Sequence, residues 1–197
     1  YLLKKIIYNF IHFYYLKKII KNNHNIKFVP VSKWMKETIE EDLNLKLKKN
    51  STEIISNPVS DIFKHQSKSF NGGEIKILVI KNFNSYKYAG DITLEFINKI
   101  LKEKFSEKLV FNIFGQGNIK KSLRNKLKLK KNVNIYDKFL SPKEIKDQFK
   151  NNDVFLYLTR MDAQSVSISE ALSSGLPVIS SNNSAIPEYI KDNENGY

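Results

Sequence analysis

The chain has 197 residues, 41% of them hydrophobic, which suffices for a packed core and excludes a disordered polymer. Its formal net charge is +13 and it contains no cysteine, so a disulfide framework, a thiolate metal site and a cysteine nucleophile are excluded. The length suits one full domain plus part of another, and the ends at Tyr1 and Gly196-Tyr197 read as those of a fragment of a longer protein.

Arg124 and Arg160 are the only arginines, so nearly all the positive charge is lysine. Lysine, asparagine and isoleucine are abundant throughout. An A/T-rich genome would explain this, and so would attraction to an anionic partner such as a nucleotide, a nucleic acid or an acidic lipid surface. The lysines are spread along the chain, without an RNP-type aromatic motif, a zinc finger or an arginine-rich arm. That speaks against nucleic acid.

Residues 1–22 predict a helix, with Leu3, Ile6, Ile7, Phe10, Phe13 and Tyr14 at i, i+3, i+4 spacing. Its uncharged stretch between Lys5 and Lys17 is shorter than the ~20 residues that span a bilayer. A basic amphipathic helix can lie on an anionic membrane, and it can equally pack on its own domain. A strand is expected at Ile26–Val31, then a helix from the N-cap Ser32 to about Leu43, with Glu37 and Glu40 in its early turns. A short strand follows at Glu53–Ser56. Residues 58–73, with Pro58, His65, Ser67, Ser69, Gly72 and Gly73, read as an inter-domain linker. The expected domains are therefore 1–57, ending one unit, and 74–197, forming most of a second.

From Glu74 onward the pattern becomes regular. Apolar runs at Ile75–Ile80, Leu109–Phe114, Val133–Tyr136, Val154–Leu158 and Pro177–Ile179 alternate with helical stretches near 88–104, 117–130, 141–151 and 165–174. Strands that are apolar throughout and alternate with helices predict an α/β fold, a doubly wound parallel sheet covered on both faces. Ligands of such sheets bind at the carboxyl ends of the strands.

Three segments following strands carry chemistry. Lys81 and Lys87 flank a loop that leads into a helix, a suitable place for phosphate, or a coincidence in a lysine-rich chain. Gly115 and Gly117 form a G-x-G turn that brings backbone N–H groups close to a ligand, or simply a tight strand-to-helix turn. The third glycine of a dinucleotide fingerprint is missing. The loop Thr159–Ser165 holds Arg160 and Asp162 and enters a helix, and Glu170 follows eight positions after Asp162. The helix amino end suits a diphosphate, and a carboxylate can accept from paired sugar hydroxyls. Alternatively Asp162 is a helix-start anion and Glu170 faces solvent. There is no D-x-D pair, and His12, His24 and His65 are far apart, so no metal site is expected.

Several segments match one family in order: Val31-Ser32-Lys33-Trp34-Met35-Lys36, Ile55-Ser56-Asn57-Pro58-Val59, Phe114-Gly115-Gln116-Gly117, Asp153-Val154-Phe155-Leu156, Glu170 through Ile179 (EALSSGLPVI), Ala185-Ile186-Pro187-Glu188 and Asn195-Gly196. On these the chain, over about 28–197, resembles the glycosyl transferases group 1 family (glycosyltransferase family 4), retaining enzymes with two Rossmann-like domains in the GT-B fold. The run 170–179 is specific, and each of the others is weak alone. The resemblance implies that 1–57 closes the acceptor-side domain and 74–197 is the nucleotide-sugar domain. It implies sugar transfer from a nucleoside-diphosphate sugar to a glycan or lipid-linked acceptor, as in bacterial surface polysaccharide synthesis. It implies no cofactor beyond the donor substrate, no metal, no nucleic acid, and a cytoplasmic location with peripheral membrane contact through 1–22. A GT-B nucleotide-sugar epimerase, a non-catalytic nucleotide-binding domain and a basic nucleic-acid binder are the competing expectations.

The resemblance also implies roles. Lys81 and Lys87 would clamp the diphosphate, Asp162 would lie near the donor sugar, and Glu170 would hold the ribose hydroxyls. Phe139 and Leu140 would flank the base. Gly115, Gly117, Gln164, Ser165 and Val166 would complete the donor contacts, and Arg160 would join them or else take a surface or helix-capping role. The chain departs from the family at Asp162-Ala163-Gln164-Ser165, where E-G-F-G is usual, and Lys81 stands where arginine is usual.

Overall fold

The computed structural model describes residues 2–23, 25–65, 67 and 72–197, with side chains from Tyr8 onward. The side chains of Leu3, Ile6 and Ile7, and residues His24 and Ser69, lie outside what is described. The chain divides into two compact units, Tyr1–Asn57 and Pro58–Tyr197.

In the first unit, helix α1 spans Leu2–Asn22 and helix α2 spans Lys33–Asp42. Ser32 caps α2 as its spacing predicts: its hydroxyl accepts from Met35 N at 3.1 Å. The two strands expected at Ile26–Val31 and Glu53–Ser56 are reduced to a single parallel bridge, Phe28 to Thr52. The segments do run side by side, with Phe28 N on Ser51 O, Glu53 N on Phe28 O and Ile55 N on Pro30 O. Pro30 has no N–H to extend the ladder. Phe10, Phe13 and Tyr14 of α1 are exposed within this unit. Among the described residues no helix is long and apolar enough to cross a membrane.

The second unit is built on five parallel strands: β1 (Ile75–Ile80), β2 (Leu109–Phe114), β3 (Val133–Tyr136), β4 (Val154–Tyr157) and β5 (Val178–Ser180). Their order is β3-β2-β1-β4-β5. Helices α3 (Gly90–Ile100), α4 (Lys121–Lys128), α5 (Pro142–Asn151) and α6 (Val166–Ser173) connect them. Alternation along each strand divides the core in two. Ile77, Val79, Phe111, Ile113 and Leu156 pack with Leu94 and Ile97 of α3 and Leu127 of α4. Leu78, Phe114, Phe155 and Val178 pack with Phe149 of α5 and with Ile168 and Ala171 of α6. Each fully buried Leu, Ile or Phe stabilises by roughly 1.5–3 kcal/mol, so both faces are held by helices, as a doubly wound sheet requires. Within the stretch read as a linker, Val59 and Phe63 pack on the second of these cores, and the Phe63 ring lies 5.8 Å from that of Phe149.

Strand order reverses between β1 and β4. Outside their carboxyl ends the connecting loops diverge to opposite faces and open a crevice.

Candidate functional site

Lys81 is the first residue after β1 and is buried, with 4% of its surface exposed. Its ammonium donates to Tyr88 O at 2.7 Å and to the carbonyl of Leu158 after β4. It stands 4.5 Å from the Tyr157 ring centroid, where the aromatic face is negative. Among the described residues no carboxylate touches it, so burial pushes its pKa down to about 7, while the more distant Asp162 charge acts in the opposite sense. Lys87 lies in a 3-10 turn, Tyr86–Tyr88, just before α3. It is exposed, with its ammonium 5.8 Å from the Tyr88 ring centroid.

The loop after β4 is shaped by Asp162. One carboxylate oxygen accepts from Tyr157 OH at 2.7 Å, and the other accepts from Gln164 N at 3.1 Å, which closes an Asx turn. Ser165 then caps α6, its hydroxyl accepting from Ile168 N at 3.3 Å, and its own N–H donates to Tyr189 OH at 3.0 Å. Burial pushes the Tyr157 phenol up and raises that of Tyr189 to about 12, so both are neutral near pH 7, Tyr157 donating to Asp162 and Tyr189 accepting from Ser165. Glu170, one turn into α6, is half-buried, and that burial raises its pKa. Val166, at the first helical position, is exposed.

Gly115 and Gly117 follow β2 with φ of +139° and +142°. A Cβ on Gly115 would lie 1.7 Å from Lys81 O, and one on Gly117 would lie 2.1 Å from the Phe83 carbonyl carbon. The two loops are laced together by Lys81 N on Phe114 O, Phe83 N on Gln116 O and Ile119 N on Phe83 O. The glycines therefore let the β1 and β2 loops touch, which is the tight-turn reading of this motif. Beneath them Arg124 is buried. It donates to Gly115 O at 2.6 Å and to the Asp137 carboxylate, whose other oxygen takes Lys128 at 2.6 Å.

A cavity of about 190 Å³ opens over this crevice. Lys81, Gly115 and Phe139, expected from the sequence, line it together with Tyr88, Lys138 and Tyr157, which were not. Phe139 is exposed on the wall, and Leu140 turns inward to pack on the α5–α6 core. Asp162 reaches the cavity through the Tyr157 hydroxyl. Glu170, Gln164, Ser165, Val166, Lys87 and Gly117 sit on flanking segments.

Arg160, expected as a donor contact, is held elsewhere. Its fork grips the Asp91 carboxylate at 2.7 and 2.8 Å, and Nη1 also donates to Tyr86 O at 2.6 Å. This ion pair holds the Asp91 carboxyl below the usual carboxylate range. Tyr157 was hidden because it reads as one more apolar strand residue, and Asp91 because it lies 69 positions from its partner. Among the described residues no group of three or more His, Cys, Asp or Glu side chains is placed to hold a metal ion.

The geometry can be set beside known proteins. No curated protein matches the chain. Its fold is similar to the crystal structure of TarM at 21% identity and TM-score 0.72, covering 92% of this chain and 35% of TarM. A mutant of S. aureus TarM, in complex with Fondaparinux, alpha-GlcNAc-glycerol and UDP, is similar at 19% identity and TM-score 0.67, over 92% and 35%. WaaG, a glycosyltransferase involved in lipopolysaccharide biosynthesis, is similar at 16% identity and TM-score 0.65, over 87% of this chain and 48% of WaaG. The chain thus spans about a third of the length of TarM and about half that of WaaG. Residues 60–197, well over half the sequence, match the family described as glycosyl transferases group 1, and the chain belongs to that family.

Proposed function

We propose that this protein is the nucleotide-sugar-binding part of a retaining glycosyltransferase. In this reading residues 74–197 take a nucleoside-diphosphate sugar at the carboxyl ends of β1, β2 and β4. Residues 1–57 are the tail of the acceptor-side domain. One observation carries the reading: a family member places a buried lysine, with two of its three N–H groups engaged, on the wall of a cavity at the switch point. The third N–H suits a phosphate oxygen. UDP in the TarM mutant complex, and the likeness to WaaG, a glycosyltransferase, support the same substrate class.

The leaving group of such a reaction is an anionic diphosphate. Catalysis then needs fixed positive charge where negative charge develops. Lys81, Lys87 and the amino end of α6 supply it, without a metal. Glu170 accepts from the ribose hydroxyls, Asp162 orients beside the sugar, and Phe139 offers a ring to the base. The acceptor is a glycan or a lipid-linked glycan of bacterial surface polysaccharide synthesis. The basic helix α1 gives the protein peripheral contact with the inner face of the cytoplasmic membrane.

The test is turnover of a panel of UDP- and GDP-sugars by the full-length protein in EDTA, with the product anomer read by NMR. Transfer with retained configuration, reduced at least tenfold by Lys87→Ala, is expected, since one lost charge-assisted contact costs about 2.7–4 kcal/mol. Conversion of the donor without any acceptor would identify an epimerase instead. Binding without turnover would identify a non-catalytic domain.

A further inference from the structure

The turn that carries Lys87 is held in a conformation its sequence does not favour. Ala89, the residue after it, has φ 52° and ψ 36° and is fully buried. A non-glycine residue persists in the left-handed region only where its surroundings over-determine it. Here they do. Ala89 N donates to Tyr86 O at 3.0 Å, and Thr93 donates to Ala89 O through its N at 2.9 Å and its hydroxyl at 2.8 Å.

The remaining contacts come from across the switch point. Arg160 N donates to Lys87 O at 3.2 Å, and Arg160 Nη1 shares the Tyr86 carbonyl. The guanidinium fork then closes on Asp91 in the first turn of α3. A planar fork with two parallel N–H···O bonds fixes direction as well as distance, which a lysine ammonium cannot do. The same turn offers the Tyr88 carbonyl to Lys81. The turn that carries Lys87 therefore also holds one of the contacts of Lys81.

We infer that Arg160 and Asp91 are a pair of positioning residues: they clamp the Tyr86–Tyr88 turn so that Lys87 stands ready for a diphosphate. This rests on the nucleotide-sugar reading above. It removes Arg160 from the groups that touch the donor and assigns it, with Asp91, to holding the β1–α3 and β4–α6 loops together.

The experiment is calorimetric binding of UDP, GDP, ADP and CDP to the chain, to Lys87→Ala, and to Arg160→Lys and Asp91→Asn, each alone and combined with Lys87→Ala. Thermal melts check that every variant is folded. Arg160→Lys and Asp91→Asn should each weaken the preferred nucleotide about tenfold, within the range for mutations that act through another residue. Most of that loss should vanish when Lys87 is already alanine. If Arg160→Lys weakens binding and Asp91→Asn does not, Arg160 is a direct ligand and the clamp is wrong. Equal losses with and without Lys87 overturn it as well. Should Asp91→Asn fail to fold, the Arg160→Lys and Lys87→Ala cycle decides alone. If Lys87→Ala weakens binding but neither clamp variant does, the donor reading stands and the clamp falls. If the chain binds none of the four, or Lys87→Ala changes nothing, the diphosphate reading fails and takes the clamp with it.

Discussion

The Lys81 ammonium stands over the Tyr157 ring, 4.5 Å from its centroid, and the hydroxyl of that ring donates to Asp162 at 2.7 Å. One buried tyrosine thereby touches both a cation and a carboxylate expected at the site. Tyr157→Phe keeps the ring beneath Lys81 and removes the bond to Asp162. A hydrogen bond to a charged group contributes about 1.5–3 kcal/mol, so urea unfolding should show a loss of that order. An unchanged midpoint would mean that Asp162 finds an equivalent donor.

Lys81 makes stability depend on pH. Its pKa is about 7 in the fold and 10.5 in an ordinary lysine. Between those values the unfolded chain binds more protons than the folded one, so stability rises with pH across the window. Below about pH 7 the full penalty of holding a buried ammonium is present. Lys81→Met removes the group. Relative to that variant, the wild-type chain should gain on the order of a few kcal/mol between pH 7 and pH 10. Parallel pH profiles of thermal midpoint for the two proteins would contradict this.

The same group predicts proton uptake. A diphosphate favours the charged lysine, so its pKa rises on binding. At pH 8 the site should take up close to one proton per nucleotide, and at pH 6 almost none. Calorimetry in buffers of different ionisation enthalpy measures this number directly. Lys81→Met should show none at either pH.

Gly115→Ala should be among the most damaging single substitutions. Its Cβ would enter the Lys81 backbone, and its φ of +139° suits glycine alone. A loss of about 3 kcal/mol or more is expected, beyond the 1–3 kcal/mol of backbone strain. Gly73 has nothing within 4 Å of its Cβ position, so Gly73→Ala should change stability by less than about 0.5 kcal/mol. Denaturant midpoints of the two variants give the comparison.

Glu170 predicts an acid limb for binding. Burial raises its pKa, so it takes up its proton at a higher pH than an ordinary glutamate. If the carboxylate accepts from ribose hydroxyls, nucleotide affinity falls as pH drops through that raised value. Glu170→Gln should bind more weakly at neutral pH and lose this dependence. A wild-type affinity that is flat into the acid range would exclude the role.

The framework of the second unit was legible in the residues because its strands are apolar on both faces. Ile75–Ile80, Leu109–Phe114 and Val133–Tyr136 were read with the bounds that β1, β2 and β3 have. Helix ends were read too long. The 3-10 turn at Tyr86–Tyr88 precedes α3, and the glycine-bounded loop after β2 takes residues before α4 begins at Lys121. In the first unit the apolar run 26–31 resembles a strand, but each extended segment finds only the other as a neighbour among the described residues. At the site, Lys81 and Gly115 could be placed on the cavity because they follow strands, and Phe139 because of the family resemblance. The Arg160–Asp91 pair could not be read, since an arginine two residues from Asp162 gives no sign that it turns toward α3. Tyr157 was invisible for the opposite reason: its hydroxyl acts at the end of a strand whose other residues are simply core.

The most direct test of the central claim is metal-free calorimetric titration of UDP, GDP, ADP and CDP into the chain and its Glu170→Ala variant. Selective binding of one nucleotide, weakened by the variant, is the predicted result and would name the base. Binding of none of the four, or of one equally well to both proteins, would contradict the assignment of this crevice as the donor site.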